Sequence, residues 1–359
     1  MRILVGLLAL AVSWVNIGSP LQAADPLSNF DFAARMDFYK VPGVSVAVID
    51  GSKIVWAKGF GVLELGGTAP VTTETLFQAA SISKPVAAMA MLKMVEQGKL
   101  SLDEPVNVKL KSWKIPENEF TKEKTVTLRM IVSHGAGFTV HGFPGYEAGE
   151  PLPTVPQILD GTPPANTAAV RVDKLPGKDF RYSGGGITIE QLLMTDVEHK
   201  PFADILQSLV LGPLGMKHST YQQPLPPAKA AHAATAHLKD GTPAKGKWHI
   251  YPEMAAAGLW TTPSDLALFL IELQKKSGRV ISAKMIDEMR TRQTGDYGLG
   301  LQMTGEHRFG HGGSNFGFKC QATATSDGKG VVVMTNGEQG GRLANEIVKA
   351  LAEEQNWPK

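Results

Sequence analysis

Two short apolar runs, separated by a polar turn, open the regular pattern of the chain. The runs cover residues 44–49 and 54–61, and the turn at residues 50–53 contains the pair Asp50-Gly51. Both runs are rich in β-branched residues, and an Asp-Gly pair between such runs is a strong short-range signal for a hairpin. The pattern therefore predicts two antiparallel strands near the start of the fold.

In the middle of the chain, the apolar positions change to helical spacing. The clearest helix covers residues 86–97, where apolar residues follow the 3.6-residue period and Gly98 supplies a left-handed cap. Strand signals are scarce in this part of the chain. The other predicted helices share this spacing and cover residues 128–133, 189–197, 202–211, 264–273 and 283–290.

Strand signals return near the end of the sequence. Residues 297–303, 316–325 and 330–335 alternate or run apolar, and a final helix is predicted over residues 343–354. Strands at both ends with helices between them predict an α/β (α+β) fold. In this fold one antiparallel sheet is built from both termini and is flanked by helices.

This pattern also predicts how the chain is divided. Residues 25–80 and 292–359 would form the sheet domain, and residues 81–291 would form an inserted, mostly helical domain. A length of 359 residues suits two structural units. We expect a ligand cleft where the two units meet.

The first 24 residues have the pattern of a secretory signal peptide. Arg2 gives a positive start, residues 3–15 are apolar, and Ala23-Ala24 offers small residues for cleavage. We expect an exported chain, periplasmic or secreted, with no stable membrane span after cleavage, and an uncleaved anchor is the alternative. Cys320 is the single cysteine, so we expect a buried thiol and no internal disulfide.

Composition and charge narrow the function mainly by exclusion. Hydrophobic residues make up 43% of the chain, and 36 basic residues stand against 34 acidic ones. A balanced chain without a basic stripe does not suit nucleic acid, so we expect a small-molecule partner. His232 and His237 are interpreted as solvated or loop histidines, and we expect neither a metal nor an organic cofactor.

Candidate chemistry enters at a Ser-x-x-Lys motif directly before the clearest helix. One helical turn would place the Lys84 amine beside the Ser81 hydroxyl. A partly desolvated lysine can help to remove a serine proton, and a helix N-terminus favours a developing oxyanion. The motif alone is weak, because Ser81 also suits a helix N-cap. A second match, Ser326 with Lys329, is interpreted as a hairpin turn.

Two further motifs make the pattern more specific. Residues 181–186 place Tyr182 in a glycine-rich loop before a helix, and residues 309–315 place His311 in a His-Gly-Gly segment. With Ser-x-x-Lys, Tyr-Ser-x and His-Gly-Gly in this order, the chain resembles the serine β-lactamase and D,D-peptidase superfamily. It is most similar to the branch of class C β-lactamases, family VIII carboxylesterases and D-aminopeptidases, and the resemblance implies a β-lactamase-like fold.

The resemblance implies a catalytic role for four side chains. Ser81 would be the acylated nucleophile, and Lys84 would tune its proton. Tyr182, as a phenolate or as a relay with Lys84, would take that proton and return it to the leaving group. His311 would lie where many relatives carry a lysine, close to Tyr182.

The resemblance also implies a set of substrate contacts. The backbone N–H groups of the nucleophile and of Ser314 would form an oxyanion hole. Gly312 and Gly313 would let a substrate lie along the strand edge. Ser183 and Gly184, from the tyrosine motif, would complete the substrate-binding set.

Two positions depart from the pattern of the penicillin-recognising members. Gly184 stands where those members usually carry an asparagine that contacts the substrate amide. His311 replaces a permanent positive charge with a side chain that is mostly neutral at pH 7. Both changes weaken the case for efficient β-lactam hydrolysis and leave acyl transfer intact.

A segment rich in proline and glycine, residues 142–181, leads directly to Tyr182. Our hypothesis is that this segment forms one wall of the acyl-group pocket, with Phe143 and Tyr146 as contacts. The alternative is a surface loop that only connects helices.

The sequence thus predicts a serine hydrolase that acts on ester or amide bonds. Carboxylesterase, D-amino-acid peptidase and β-lactamase activities all remain open, and a class C-like β-lactamase is one alternative as the main activity. The other alternative is a binding protein for penicillin or peptidoglycan fragments that is acylated or occupied without turnover.

Overall fold

The computed structural model describes residues 25–358, so the predicted signal peptide at residues 1–24 lies outside the described residues. The strands are β1 Gly43–Asp50, β2 Lys53–Gly61, β3 Phe77–Gln78, β4 Trp260–Thr261, β5 Gln302–Thr304, β6 Arg308–Asn315, β7 Phe318–Thr325 and β8 Gly330–Thr335. The helices are α1 Phe32–Tyr39, α2 Ser83–Glu96, α3 Glu119–Glu123, α4 Leu128–Val132, α5 Val155–Asp160, α6 Gly184–Glu198, α7 Phe202–Leu206, α8 Gly212–Leu214, α9 Pro227–Ala230, α10 Met254–Ala257, α11 Pro263–Lys275, α12 Ala283–Arg290 and α13 Gly340–Glu354.

Six of the strands form one antiparallel sheet, in the order β2-β1-β8-β7-β6-β5. The first hairpin therefore lies beside the last strand, and Val44 pairs with Thr335. The predicted fold class is confirmed, because the sheet is built from both ends of the chain. A separate two-stranded pair, β3 with β4, was not predicted.

Strand β1 is buried from Gly43 to Ile49, and apart from Ser45 its residues 44–49 are apolar, because both faces of the sheet are covered here. Val44, Val46 and Val48 pack in a cluster with residues of α1 and α13, whereas Ala47 and Ile49 belong to the main core. A strand buried on both faces has a continuous apolar run instead of alternation. The mostly apolar run at residues 44–49 is thus the sign in the sequence that β1 is buried on both faces.

Helices α2, α6 and α10 pack against one another and position the candidate site. Helix α2 begins at Ser83, before the predicted start at residue 86, because Pro85 is tolerated in the first turn of a helix. Helix α11 lies in the predicted insertion and packs on β1, β7 and β8. The domain boundaries at residues 80 and 292 stay a prediction.

The strand predicted at residues 297–303 is wrong for most of its length. Only Gln302–Thr304 forms a strand, and the preceding residues turn sharply. Tyr297 N–H donates to the Thr294 carbonyl, and Gly300 has a φ of +80°, in the left-handed region that favours glycine. The alternating pattern at these residues reflects burial within a turn.

Candidate active site

The candidate site lies at an open edge of the sheet. Strand β5 pairs with β6 only along residues 308–310, whereas β7 follows β6 as far as Asn315. Residues 311–315 therefore have no paired strand on the β5 side. A cleft of about 740 Å³ opens there, lined by Ser81, His141, Gly142, Phe143, Tyr182, Gln302, His311, Gly312, Gly313, Ser314, Lys319, Cys320, Gln321, Gly341, Ala344 and Asn345.

Ser81 lies in a tight turn, Ala80–Ile82, that leads into α2. Ala80 has a φ of +50°, a backbone conformation that costs a residue other than glycine on the order of 1–3 kcal/mol. The Ser83 hydroxyl donates to the Ala80 carbonyl at 2.5 Å and helps to hold this turn. The N-cap of α2 is Ile82, so Ser81 does not cap the helix, and it lines the cleft instead.

Lys84 brings a buried amine to the Ser81 hydroxyl, as the helical spacing predicted. Its Nζ donates to Ser81 Oγ at 2.9 Å and to the Ala256 carbonyl at 2.7 Å. The second bond fixes the amine between α2 and α10. A cation held in this position stabilises negative charge that develops on the serine oxygen.

Tyr182 closes the other side of this pair. The Lys84 Nζ lies 5.0 Å from the centroid of the Tyr182 ring, within the range of a cation–π contact. The ring packs between His134 and His141, with centroid distances of 4.3 and 4.8 Å. The structure therefore brings Ser81, Lys84 and Tyr182 together.

His311 is buried in β6 and is held by two polar contacts. Its Nδ1 donates to the Gly312 carbonyl at 2.6 Å, and its Nε2 lies 3.4 Å from the Tyr297 hydroxyl. Burial, aided by the positive charge of Lys84, lowers the pKa of His311 to about 3. The side chain is therefore neutral at ordinary pH and does not supply the charge of the lysine that many relatives carry here.

Gly313, the second glycine after His311, lets β6 approach the turn that carries Ser81. A Cβ on Gly313 would lie 2.3 Å from the Ala79 carbonyl oxygen, a distance that the backbone could not accept without moving. Gly312 and the exposed Ser314 both line the cleft on the open edge. This arrangement suits the predicted roles of these residues in binding a carbonyl group.

The other two predicted substrate contacts, Ser183 and Gly184, lie away from the cleft lining. The Ser183 hydroxyl caps α6 by accepting from Gly186 N–H and donates to the Thr139 carbonyl. A Cβ on Gly184 would lie 3.1 Å from both the His141 carbonyl and the Phe143 ring. The space for an asparagine side chain at Gly184 is thus occupied by the segment that follows residue 140.

The proline- and glycine-rich segment contributes one wall of the cleft, through Gly142 and Phe143. The prediction for Tyr146 is wrong, because that side chain is 2% exposed and its backbone pairs with Ile250. Burial and Glu253 raise the pKa of Tyr146 to about 12. Tyr146 therefore stabilises the base of the segment.

The histidines outside this cluster have structural surroundings. His237 is fully buried, accepts from Leu65 N–H and donates to the Asn336 carbonyl, so it is a loop histidine, as one part of its interpretation expected, but it is not solvated. His232 is exposed, as expected. Within residues 25–358, no group of three or more His, Cys, Asp or Glu side chains is placed to hold a metal ion.

Several contacts of the site were not predicted from the sequence. The Ala256 carbonyl binds Lys84, His134 packs on Tyr182, and the Tyr297 hydroxyl contacts His311. The signal available in the sequence for the contact of His134 was its place between two small residues, Ser133 and Gly135. In the structure His134 has a positive φ. The contact of the Ala256 carbonyl with Lys84 has no such signal, because every residue carries a backbone carbonyl.

Cys320 lines the cleft but has the character of a buried thiol. Its Sγ lies 3.1 Å from the Gln78 carbonyl, and burial raises its pKa to about 12. A thiol is a poor nucleophile while it stays protonated.

Across residues 25–358, no helix is both long and apolar enough to span a bilayer.

Comparison with known proteins places this geometry in a family context. Among curated proteins, Protein flp of Staphylococcus aureus (strain MW2) is 25% identical to the chain over 252 residues. The match covers 67% of this chain and 46% of that protein, so the chain spans less than half the length of this relative.

Two solved structures have a similar fold. D-amino acid amidase from Ochrobactrum anthropi SV3, complexed with L-phenylalanine, has a TM-score of 0.70 and 21% identity, with 89% of this chain and 96% of that chain covered. EstCE1, a hydrolase with promiscuous acyltransferase activity, has a TM-score of 0.73 and 21% identity, with 89% and 95% covered. The Beta-lactamase family model matches residues 31–355, and with the three motifs meeting in one cleft the chain belongs to the Beta-lactamase family of serine hydrolases.

Proposed function

We propose that the protein hydrolyses uncharged carboxylic esters through a Ser81 acyl-enzyme. The observation that carries the proposal is the 2.9 Å hydrogen bond from Lys84 to Ser81 Oγ, in a cleft that Tyr182 also lines. A hydroxyl beside a buried cation and a phenol, at an open strand edge, suits nucleophilic attack on a carbonyl.

Acylation follows from this geometry. Ser81 Oγ attacks the ester carbonyl, and its proton passes to Tyr182, as a phenolate or through Lys84. The negative charge on the carbonyl oxygen is received by the backbone N–H groups of Ser81 and Ser314. The intermediate expels the alcohol, which takes the proton from Tyr182, and the acyl group stays on Ser81.

Deacylation repeats these steps with water as the nucleophile. Tyr182 takes a proton from the water, the hydroxide attacks the acyl carbon, and Ser81 leaves with the proton. The carboxylic acid is released and the side chains return to their starting states. This cycle needs no group beyond those of the chain and the water.

The charges around the cleft favour a neutral substrate over a β-lactam, which carries a carboxylate. Among the described residues that line the cleft, Lys319 is the one lysine, and its Nζ lies 2.7 Å from a Glu338 carboxylate oxygen. His311 stays neutral, and Lys84 is already bound to Ser81 and Ala256. A substrate carboxylate would therefore find no unpaired cation along this lining.

The lining also disfavours substrates with a free ammonium group. Among the described residues that line the cleft there is no Asp or Glu, the usual partner of an amine. D-amino-acid peptides and amides with a free amino end therefore rank below neutral esters. Two similar structures are described as a D-amino acid amidase and as a hydrolase with promiscuous acyltransferase activity. These descriptions support a hydrolase reaction for this chain.

The test compares kcat/KM for p-nitrophenyl butyrate, a chromogenic cephalosporin and D-alanine p-nitroanilide. We expect the ester to be the best substrate by at least about tenfold. Ser81→Ala should abolish ester turnover, whereas Ser326→Ala, the same change in the second Ser-x-x-Lys motif, should leave it intact. Full activity of Ser81→Ala would refute the nucleophile assignment.

Mass spectrometry of the protein after addition of the cephalosporin separates the alternatives. A strong cephalosporin rate would instead favour a class C-like β-lactamase. A stable adduct on Ser81, with no product from any substrate, would favour a binding protein without turnover.

We also propose that residues 1–24 direct export to the periplasm or the medium. The support is the charge and hydropathy pattern of these residues. Fractionation of expressing cells, with mass measurement of the exported chain, tests this. A chain retained in the cytoplasm with residues 1–24 intact would contradict it.

A further inference from the structure

Tyr297 lies behind the candidate catalytic residues and has no role in the proposed reaction. It is 8% exposed, and its ring stacks on Phe180 at a centroid distance of 5.2 Å. It also contacts the edges of His134 and Tyr182, at 5.0 and 6.1 Å. An aromatic ring held on three sides has little freedom to move its hydroxyl.

That hydroxyl points at one ring nitrogen of His311. The Nδ1 of His311 lies 2.6 Å from the Gly312 carbonyl, and a carbonyl can only accept, so Nδ1 carries the proton. In the neutral ring Nε2 is then the acceptor, and the Tyr297 hydroxyl, 3.4 Å away, is its donor. The two contacts together select one of the two neutral tautomers.

The charges around this pair agree with the geometry. Burial and the neighbouring Tyr182 raise the pKa of Tyr297, so the hydroxyl keeps its proton and remains a donor. The titratable groups that face His311 are Lys84, Tyr182, Tyr297 and His134. Lys84 disfavours a second positive charge beside it.

We propose that Tyr297 is a positioning residue, whose hydroxyl occupies His311 Nε2 and holds the ring as the Nδ1–H tautomer. His311 Nε2 is then not available to Tyr182. The proton that leaves Ser81 stays on the path between Tyr182 and Lys84, and His311 acts as a neutral wall of the cleft.

A hydroxyl that donates to the neutral ring stabilises the neutral form, so its loss changes the acid–base behaviour of His311. In Tyr297→Phe the ring packing remains and the donor is lost. We expect the pKa of His311 to rise, and Nε2 to become free to accept a hydrogen bond from the Tyr182 hydroxyl. Turnover should then fall with a shifted acidic limb of the pH–rate profile.

The first test is the ¹⁵N spectrum of histidine-labelled wild-type protein, in which the ring signals report the tautomer. The His311 signals are those absent from His311→Asn. We expect a protonated Nδ1 and an acceptor Nε2 in the wild type. In Tyr297→Phe the Nε2 signal should shift as its donor is lost, while Nδ1 stays protonated against the Gly312 carbonyl. A protonated Nε2 in the wild type would overturn the proposal, and this measurement does not depend on any Tyr297 variant folding.

The second test uses ester kinetics and rests on the proposed function. Tyr297→Phe should lower kcat about three- to tenfold, the effect of one neutral hydrogen bond, with KM unchanged. Tyr39→Phe is the matched control, since it removes a hydroxyl that donates to Glu346, and neither of these residues lines the cleft. An unchanged kcat and pH profile in Tyr297→Phe would refute the positioning role and leave the esterase proposal standing.

Absence of ester turnover in the wild type would instead refute the proposed function. The tautomer measurement would still decide the role of Tyr297. The two proposals therefore fail in different experiments.

Discussion

Residues 81–84 and 326–329 share the spacing Ser-x-x-Lys, yet the fold treats the two segments in opposite ways. In the first, a helical turn brings Lys84 Nζ to 2.9 Å from Ser81 Oγ, inside a cleft. In the second, the β7–β8 turn directs Ser326 to the His307 carbonyl and Lys329 to the Gln355 carbonyl. The helix and the burial around it, more than the spacing, make a serine and a lysine into a candidate site.

The acidic neighbours of the two lysines show the same contrast. Glu190 is fully buried near Lys84, and burial raises its pKa to about 8, although the lysine charge opposes this. Asp327, beside Lys329, is largely exposed, and hydrogen bonding from Thr325 lowers its pKa, with Lys329 acting in the same direction. Desolvation decides the first case, and hydrogen bonding decides the second.

The largest expected effect comes from removing the two lysines in turn. Lys84→Met should lower kcat/KM for the ester by about 10³-fold, since it removes the amine bound to the Ser81 hydroxyl, the proposed nucleophile. Lys329→Met should change kcat/KM less than about twofold. Steady-state kinetics of both variants checks this, and equal losses would mean that burial does not distinguish the two motifs.

The next effect compares one glycine near each motif. In Gly313→Ala the new Cβ would lie 2.3 Å from the Ala79 carbonyl, so β6 must move away from the turn that carries Ser81. We expect kcat/KM to fall about 100-fold, because small misplacements of reacting groups are costly.

The matched change is Gly328→Ala in the hairpin turn, where φ is +95°. It should cost more than about 1 kcal/mol of unfolding free energy, because alanine disfavours this φ and its Cβ would lie 3.1 Å from Ser52 N, and it should leave kcat/KM unchanged. Thermal unfolding and ester kinetics on both variants measure this. A fully active Gly313→Ala would contradict the close approach of β6 to Ser81.

A third prediction concerns stability as a function of pH. The pKa of Glu190 is about 8 in the folded chain and near 4.5 otherwise. Between these values the unfolded chain releases the proton and the folded chain does not, so the free energy of unfolding falls as pH rises. Relative to Glu190→Gln, the wild type should lose about 3 to 4 kcal/mol between pH 5 and pH 8.

Denaturant unfolding of both proteins at several pH values measures this difference. A constant difference would show that Glu190 is ionised or solvated in the folded chain. The same titration can be followed in the carboxyl region of the infrared spectrum, where protonated and ionised acids absorb separately.

The smallest effect is the opposite one at Asp327. Its lowered pKa contributes stability above pH 3.8, and this contribution is lost as pH falls through the lower, folded value. Because the carboxylate is mostly exposed, solvent screening limits the contribution to about 0.5 kcal/mol. Asp327→Asn should lose this amount at pH 7 and progressively less as pH falls below 3.8, and a loss that grows as pH falls would reverse the assigned sign.

Local patterns predicted much of the fold from the sequence. Strand β8 and helix α12 begin and end where the sequence predicted them. A strand was wrongly predicted at residues 297–301, because apolar residues in a buried turn can alternate as they do in a strand. Burial of a turn depends on distant packing, and no local period reports it.

The candidate site was predictable where one element places two side chains, and less so where several elements meet. The pair Ser81 and Lys84 follows from one helical turn, and its distance was foreseeable. The contact between Tyr297 and His311 joins a turn to a strand, and Gly184 is packed by a segment more than 40 residues earlier in the chain. Such contacts are set by tertiary packing.

The pairing of β1 with β8 has a consequence for the order of folding. The centre of the sheet forms only when Val44 pairs with Thr335, and these two residues are far apart in the sequence. Ser81 and Lys84 can adopt their helical turn early, but the strand that carries His311 and Ser314 is made late in synthesis. We expect the emerging chain to remain unreactive toward acyl groups until its last strands are in place.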